Sequence, residues 1–196
     1  MFNKIFRKIF GDKSPVGVDR GRVRFHDEAI LYRMKAGFAG SVNRSHPASI
    51  EPGLLSPTAP PTLAGQAVLI DPATDSYRAI GVGDVAITLI DAVTVRAFPL
   101  QQQTGGMTAA IGTSGLPVGS ADFARLAYIM VNVPVGQTAT KKGAVYVWTA
   151  ASTGVHVQGG FETVATAGST AGPITNCRFN GQPDSIGDIE LVINNF

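Results

Sequence analysis

Three histidines and a single cysteine are the residues of this chain best suited to bind a metal or to act as a nucleophile. His26, His46 and His156 share no spacing typical of a metal site, and the chain contains neither an HExxH motif nor a pair of cysteines. Cys177 cannot form an intrachain disulfide, and its expected role is that of a small buried apolar residue. These residues therefore predict no metal site and no cysteine nucleophile.

Two glycine-containing stretches resemble catalytic or nucleotide-binding motifs. In "GTSGL" (112–116), Leu116 stands where the nucleophile elbow GxSxG requires its last glycine. "GVGDVA" (81–86) fits GxGxxA, but a dinucleotide site needs a helix after it and an acidic residue about 20 residues further on. The following residues favour a strand, and no Asp or Glu lies between Asp91 and Asp122. We therefore predict that the protein is not an enzyme and has no catalytic residue and no cofactor.

The composition indicates a β-rich protein with a weakly polar surface. Apolar residues make up 44% of the 196 residues and charged residues only 15%, below the roughly 25% typical of soluble domains. The 23 glycines and 12 prolines suit many tight connections between strands. So little charge leaves weakly polar surface that partner proteins can cover.

The formal net charge of +2 conceals an uneven distribution along the chain. Residues 1–44 contain ten Lys or Arg and four Asp or Glu, whereas residues 45–196 contain six and ten. The chain is thus a basic arm followed by a mildly acidic body. A basic arm of this kind suits nucleic acid, anionic lipid or an acidic protein surface, and charge alone does not decide among them.

The opening residues, "MFNKIFRKIF", combine apolar and basic side chains at helical spacing. Basic residues interrupt the apolar ones and Gly11 follows directly, so the segment lacks the continuous apolar run of a signal peptide and predicts a short amphipathic helix over 1–11. The apolar residues of this helix are Phe2, Ile5, Phe6, Ile9 and Phe10. Burying five such side chains contributes about 10 kcal/mol, whereas ordering ten residues costs about 15 kcal/mol, so the helix needs contacts from its surroundings.

An extended arm is predicted to follow this helix over residues 12–62. It contains "VDRGRVRF", in which Arg20, Arg22 and Arg24 alternate and would share one face of a strand. It ends in the proline-rich "SPTAPP", which suits neither a central strand nor a helix. We therefore divide the chain into an N-terminal helix and arm, 1–62, and a β-rich body, 63–196.

Short apolar runs separated by glycine and proline characterise the body. They predict a mainly β fold, a jelly roll or a sandwich- or barrel-like body, with the extended arm attached. The predicted strands are 66–70, 85–90, 93–98, 126–133, 144–149, 154–164, 177–179 and 189–193. "SADFARLA" (120–127) instead suggests a helical turn with Ser120 as its cap. Tyr146 and Trp148 would share one strand face and pack in the core.

The C-terminal half resembles a known family. "KKGAVYVWTAASTGVHVQGGFETV" followed by "NCRFNGQPDSIGDIELVINN" is similar to the corresponding half of phage head decoration proteins of the structural cement type. The shared features are a glycine-led strand, a strand ending in Gly-Gly-Phe, an Asn-x-x-Phe motif and a polar turn before the last apolar strand. "AGFAGSVNR" (36–44), "IEP" (50–52), "GQAV" (65–68) and "VRAFPLQ" (95–101) fit the same pattern in order. The resemblance spans roughly residues 36–196, and the opening helix and basic stretch to Arg33 lie outside it.

This resemblance implies a non-enzymatic protein of the virion. Such a protein, made in the cytoplasm of the host bacterium, binds the outer surface of the assembled head and clamps neighbouring major capsid subunits. The expected partners are the major capsid protein and further copies of the chain, as a homotrimer or else a dimer, with neither nucleic acid nor membrane among them.

The arm is assigned a docking role as a hypothesis. The five apolar residues of the opening helix would fill an apolar groove on the capsid. Arg20, Arg22 and Arg24 would meet acidic capsid residues through charge-assisted hydrogen bonds. Two plainer interpretations stay open: the arginines form a solvated strand face, and the apolar residues pack on the protein's own body.

Other classes of function remain alternatives at this point. The basic amphipathic N-terminus suits a peripheral protein lying on an anionic membrane surface. The same arm suits a nucleic-acid-binding protein, although the body is net acidic. Another virion structural protein, such as a tail or receptor-binding protein, would share the β fold without the capsid partner.

Overall fold

A computed structural model describes residues 37–44, 47–96 and 119–194, and these residues are mainly β, as predicted. The predicted opening helix, Arg20, Arg22 and Arg24 of the arm, and the "GTSGL" stretch lie outside the described residues. The strands are β1 Ser49–Leu54, β2 Ala67–Asp71, β3 Ser76–Ala79, β4 Ala92–Thr94, β5 Ser120–Asn132, β6 Tyr146–Trp148, β7 Phe161–Glu162, β8 Thr170–Ala171, β9 Cys177–Phe179 and β10 Asp188–Asn194.

Two antiparallel sheets contain these strands. The larger has seven strands in the order β3-β2-β4-β5-β10-β9, and β1 also pairs with β5. The smaller has three strands in the order β7-β6-β8. All strand pairs within both sheets are antiparallel, which suits the short connections between consecutive elements.

The 13-residue strand β5 organises the larger sheet. Its first half pairs with β1 and β4, and its second half pairs with β10 from Leu126 to Asn132. A β-bulge divides the two halves, because Ser49 pairs with Leu126 and Ile50 with Ala124, leaving Arg125 without a partner in β1. One extra residue reverses which face the following side chains point to.

Because of the bulge, β5 contributes side chains to two hydrophobic cores. Before it, Ala121 and Phe123 pack in a small core with side chains of β2, β3 and β4. After it, Ala127, Ile129 and Val131 pack in the main core, which includes residues of β6, β7, β9 and β10. The helical turn predicted for 120–127 is therefore wrong: these residues are strand, and the bulge removes the regular alternation by which a strand is recognised in a sequence.

The chain after β1 crosses to the outer edge of β3. Leu55 forms a parallel bridge with Tyr77, the Ser56 N–H donates to the Tyr77 carbonyl at 2.8 Å, and the Ala79 N–H donates to the Ala59 carbonyl at 2.7 Å. These bonds connect β3 back to β1 and complete a ring of strands around the small core. Barrel-like closure of this kind protects the edge of β3.

Several predicted strands differ from the observed ones. Residues 85–90 form no strand; a 3₁₀ turn, Val82–Asp84, and an extended loop take their place. Of residues 154–164, only Phe161–Glu162 is strand, because Thr153 and His156 form a tight turn instead. In the stretch assigned to the extended arm, β1 is a member of the larger sheet.

The remaining strand predictions in the body agree with the structure. The segments at 66–70, 126–133, 144–149, 177–179 and 189–193 each contain an observed strand, and β4 lies within one residue of the predicted 93–98. Trp148 is buried, whereas Tyr146 beside it in β6 is only half-buried. Within the described ranges, no helix combines the length and hydrophobicity needed to cross a bilayer.

Candidate interaction surfaces

All eight residues predicted to dock on a capsid fall outside the described part of the chain. They are Phe2, Ile5, Phe6, Ile9, Phe10, Arg20, Arg22 and Arg24. Their role stays a prediction. The described body itself presents two apolar surface features that the sequence analysis did not identify, a groove and a loop.

The apolar groove opens on the surface near the small sheet and has a volume of about 290 Å³. Phe38, Val155 and Ile186, which line it, are exposed apolar side chains. Phe161, buried in the main core, forms part of its wall. Ligand pockets usually measure about 300–1,000 Å³, so this groove suits a few aliphatic side chains better than a large free ligand.

A buried carboxylate stands in the wall of the groove. Glu162 is 2% exposed, and its Oε1 lies 2.7 Å from Nδ1 of His156. Nε2 of Gln137 donates to the other carboxylate oxygen, and the Gln137 Oε1 accepts from the Thr163 N–H at 2.7 Å. Both oxygens of Glu162 are therefore bonded, which a buried carboxylate requires.

His156 is held from two sides. The Trp148 ring stacks on the imidazole of His156 with ring centroids 4.2 Å apart, and the Glu162 carboxylate is hydrogen-bonded to Nδ1 of the imidazole. The Trp148 Nε1–H donates to the Ala151 carbonyl at 3.2 Å. These contacts fix the 153–156 turn that carries Val155 to the rim of the groove, so the His–Glu pair here orients a surface loop.

The second surface feature, which we call the apolar loop, comprises residues 81–89. It displays three exposed aliphatic side chains, those of Val82, Val85 and Leu89. The sequence predicted a strand over 85–90, which includes Val85 and Leu89, but the structure forms no strand there. Apolar side chains that recur in one exposed loop are typical of a surface that another protein covers.

An ion pair fixes the start of the apolar loop. Arg78 binds Asp84 through two hydrogen bonds of 2.8 and 2.9 Å, and the Gly81 N–H donates to the Asp84 Oδ2 at 2.7 Å. The hydrogen bonds from Arg78 hold the pKa of Asp84 below its ordinary value, and Asp84 raises the pKa of Arg78. The "GVGDVA" glycines thus form a tight turn around a structural carboxylate.

Side chains near β9 fix the end of the same loop. The Thr175 N–H and hydroxyl both donate to the Thr88 carbonyl, at 2.8 and 3.1 Å. Asn176 bonds both backbone groups of Ile90, donating to its carbonyl at 2.7 Å. Because both ends are bonded, the exposed side chains lie on a pre-organised support, which reduces the entropy lost when a partner binds.

The described residues offer little chemistry beyond these contacts. Cys177 is buried in the main core, as predicted, and burial raises the pKa of its thiol. No group of three His, Cys, Asp or Glu side chains in residues 37–44, 47–96 and 119–194 is placed to hold a metal ion.

Comparison with known proteins identifies the family. The model of the family described as XM1 gp53 minor capsid protein matches residues 28–193. A chain in the solved capsid of Myoviridae phage XM1 is similar in structure, with a TM-score of 0.58 and 18% identity, covering 86% of this chain and 96% of that chain. At that identity the structural likeness shows the fold alone. No curated protein matched.

The family match begins at residue 28, within the arm and upstream of the described body. It extends almost to the end of β10 and so includes the groove, the apolar loop and both sheets. This result confirms the phage-capsid resemblance noted in the sequence. Since the match covers most of its residues, the chain belongs to the XM1 gp53 minor capsid protein family, the structural proteins of a phage capsid.

Proposed function

We propose that this protein decorates the outer surface of the assembled phage head and clamps neighbouring major capsid subunits against the pressure of the packaged DNA. Family membership over residues 28–193 is the observation that supports this proposal. The closed β body with exposed apolar surface suits a protein that functions by binding. A non-enzymatic role agrees with a family of capsid structural proteins.

The physical basis of clamping is linkage. A protein that binds the assembled lattice but not separated subunits stabilises the lattice by mass action. When one molecule touches two or three subunits, several modest contacts combine into a high avidity. An extended arm contributes because it spans up to about 3.3 Å per residue, which is further than a compact domain of the same length.

In this proposal the two parts of the chain have separate roles. The N-terminal part of the arm, 1–62, lies on the capsid, and the body, 63–196, forms a self-associating knob, as a homotrimer. Phe2, Phe6 and the other apolar residues of the opening helix enter an apolar groove on the major capsid protein. Arg20, Arg22 and Arg24 bind acidic capsid residues. The β1 strand, although within the arm's range, anchors the arm to the body through β5.

Co-sedimentation with phage heads stripped of this protein tests the proposal directly. The full chain should pellet with heads, and a chain lacking residues 1–24 should bind them at least tenfold more weakly while keeping the body's circular dichroism spectrum. Anionic liposomes and duplex DNA serve as alternative partners in parallel tubes. Binding to liposomes or DNA, with none to heads, would contradict the capsid role and support a peripheral membrane or nucleic-acid-binding protein.

Point variants separate the two kinds of arm contact. Replacing Arg20, Arg22 and Arg24 by Glu should weaken head binding most at low salt, because salt screens charge contacts. Replacing Phe2 and Phe6 by Ser changes no charge and should weaken head binding by a similar factor at all salt concentrations. A variant with Lys141 and Lys142 replaced by Glu is the matched control, since both are exposed lysines of the body. If the arm variants and the control variant lose head binding equally, the arm does not have the proposed docking role.

A further inference from the structure

The surface loop at the rim of the groove, which we call the rim loop, comprises residues 151–156. Its first five residues are exposed, and the two backbone hydrogen bonds between Thr153 and His156, both 3.0 Å, lie within the loop. Just after it the backbone is bonded to the body, since the Ala67 N–H donates to the Gly159 carbonyl at 2.9 Å. The rim loop itself therefore depends on side-chain contacts for its position.

Two buried side chains of the body hold the imidazole of His156. The Trp148 ring stacks on it with the two ring planes 16° apart, and Oε1 of Glu162 lies 2.7 Å from its Nδ1. The His156 side chain is 31% exposed, whereas that of Glu162 is 2% exposed. The imidazole thus connects an exposed loop to two buried groups, and protons from the solvent can reach it.

The hydrogen bonds around Glu162 determine where a proton can lie. The Thr163 N–H donates to Oε1 of Gln137 at 2.7 Å, so the Gln137 Nε2 is the group that donates to Oε2 of Glu162. The other carboxylate oxygen faces Nδ1 of His156, and one proton occupies that contact. A further proton goes to Nε2 of the imidazole, which gives an imidazolium beside a carboxylate.

The surroundings of His156 favour this charged form. A buried carboxylate such as that of Glu162 is costly unless a cation or hydrogen-bond donors compensate it. A protonated imidazole supplies the cation, and cation–π attraction to the stacked Trp148 ring adds to the contact. A neutral imidazole keeps only the hydrogen bond and the stacking. Because histidine changes charge near physiological pH, the strength of this contact depends on pH.

We propose that His156 is a proton-operated latch for the rim loop. With a proton on Nε2, the imidazolium fastens the loop to Trp148 and Glu162. When that proton leaves to the solvent, the contact weakens and the loop opens more often. The contact stabilises the charged form, so its contribution is present at lower pH and is lost as the pH rises. The latch sets the position of Val155 at the rim of the groove, and it does not depend on the proposed decoration role.

Other charged groups face the same region. Arg96 and Asp188 line the groove together with Glu162. The Arg96 guanidinium keeps its charge throughout the pH range in which histidine titrates, so it contributes a constant field and no titration step. The Asp188 carboxylate accepts a hydrogen bond of 3.0 Å from Nδ2 of Asn132. The contribution of Asp188 is separated by a variant.

The fluorescence of the full-length protein tests the latch, because Trp148 is the only tryptophan of the chain. A protonated imidazole stacked on an indole quenches its emission more strongly than a neutral one does. Emission should therefore rise in one step as the pH is raised from about 5 to about 9. His156→Gln should remove this step. The controls Asp188→Asn and His46→Gln should retain it, and loss of the step in either control instead of in His156→Gln would overturn the proposal.

Glu162→Gln separates a latch from an ordinary surface histidine. An amide at this position can still accept from Gln137 and donate to Nδ1 of a neutral imidazole, so the body should stay folded, which circular dichroism checks. Since the variant favours the neutral imidazole, the midpoint of the fluorescence step should move to lower pH. An unmoved midpoint would show that the carboxylate does not control the proton, and the proposal would be wrong.

Hydrogen exchange followed by mass spectrometry measures the opening of the rim loop. At about pH 5, peptides covering 151–156 should exchange about fivefold more slowly in the unaltered chain than in His156→Gln, and this ratio should fall towards one at about pH 8. Comparing the two chains at each pH removes the intrinsic pH dependence of exchange, and peptides from β10 should show no difference. A ratio that is the same at both pH values would mean that His156 only supports the loop, and it would contradict the latch.

Discussion

Single charged residues in this protein fix loops, and Asp84 is the clearest case. Its carboxylate accepts two hydrogen bonds from Arg78 and one from the Gly81 backbone. We expect Asp84→Asn to lower the free energy of unfolding by about 1 kcal/mol at pH 7, since a two-pronged, partly buried pair exceeds the typical exposed ion pair. Urea unfolding of both chains measures this difference.

The same pair should make stability depend on pH in a defined direction. Because the folded-state pKa of Asp84 lies below its ordinary value, its contribution is fully present above the unfolded pKa of about 3.9. It is lost as the pH falls through the lower folded-state pKa. The gap between Asp84→Asn and the unaltered chain should therefore shrink in strong acid.

Cys177 provides a second prediction at the residue scale. Its side chain packs in the main core, and burial raises the pKa of its thiol, so the reactive thiolate is scarce. We expect iodoacetamide at pH 8 to leave the folded protein unmodified for hours and to alkylate it within minutes in strong denaturant. Intact-mass spectrometry follows the reaction, and rapid labelling of the folded chain would contradict the observed burial.

Among the elements, β5 explains where sequence interpretation succeeds and where it does not. Its second half is a continuous run of apolar residues from Leu126 to Val131, so the strand at 126–133 was predictable. Its first half has buried side chains at Ala121, Phe123 and Ala124, because the bulge at Arg125 changes the exposed face. A prediction from hydrophobic periodicity assumes that one face of a strand is buried along its whole length. Strand β5 contributes side chains to two cores on opposite faces, so the assumption does not hold for it.

The groove and the apolar loop were missed for a related reason. Val85 and Leu89 alternate with other residues as a strand would, yet the hydrogen bonds of Asp84 and Asn176 hold them in a loop. Those bonds join residues as far apart as Ile90 and Asn176, which a local pattern cannot indicate. In the sequence, only the low content of charged residues indicated a surface for a partner protein, and composition does not locate that surface on the chain.

The turn before β10 provides the prediction at the element scale. Gly187 has a φ of +89°, and a β-carbon there would overlap the carbonyl oxygen of Val133, whose N–H bonds the Gly187 carbonyl. Gly187→Ala should therefore lower the free energy of unfolding by about 3 kcal/mol through backbone strain and the clash together. Thermal unfolding, followed by circular dichroism, measures the loss.

Gly136→Ala is the matched control for this turn. Gly136 has a φ of +90°, but a β-carbon there would meet nothing within 4 Å. Gly136→Ala should lower the free energy of unfolding only by the cost of placing alanine in a left-handed backbone conformation, about 1–2 kcal/mol. Similar losses in the two variants would mean that Val133 moves aside and that the turn is less tightly packed than the structure indicates.

At the scale of the whole molecule, the distribution of charge and apolar surface matches a protein that binds an assembled lattice. The basic residues are concentrated before residue 45, and the acidic residues dominate after it. The body has few charges and displays aliphatic side chains on a bonded loop. With one surface for the capsid lattice and another for further copies of the chain, one molecule would bind across the boundary between capsid subunits and contact a neighbouring copy at the same time.

Stabilisation of heads is the last expected outcome, and it follows from linkage. A protein that binds intact heads and not separated subunits should raise the temperature at which heads release DNA, by an amount that grows with its free concentration. Fluorescence of a DNA dye during heating of stripped heads measures that temperature. A chain lacking residues 1–24 should need a higher concentration for the same shift, because it makes fewer simultaneous contacts with the head. If the full chain coats the heads yet leaves the release temperature unchanged, it decorates the surface without clamping the subunits.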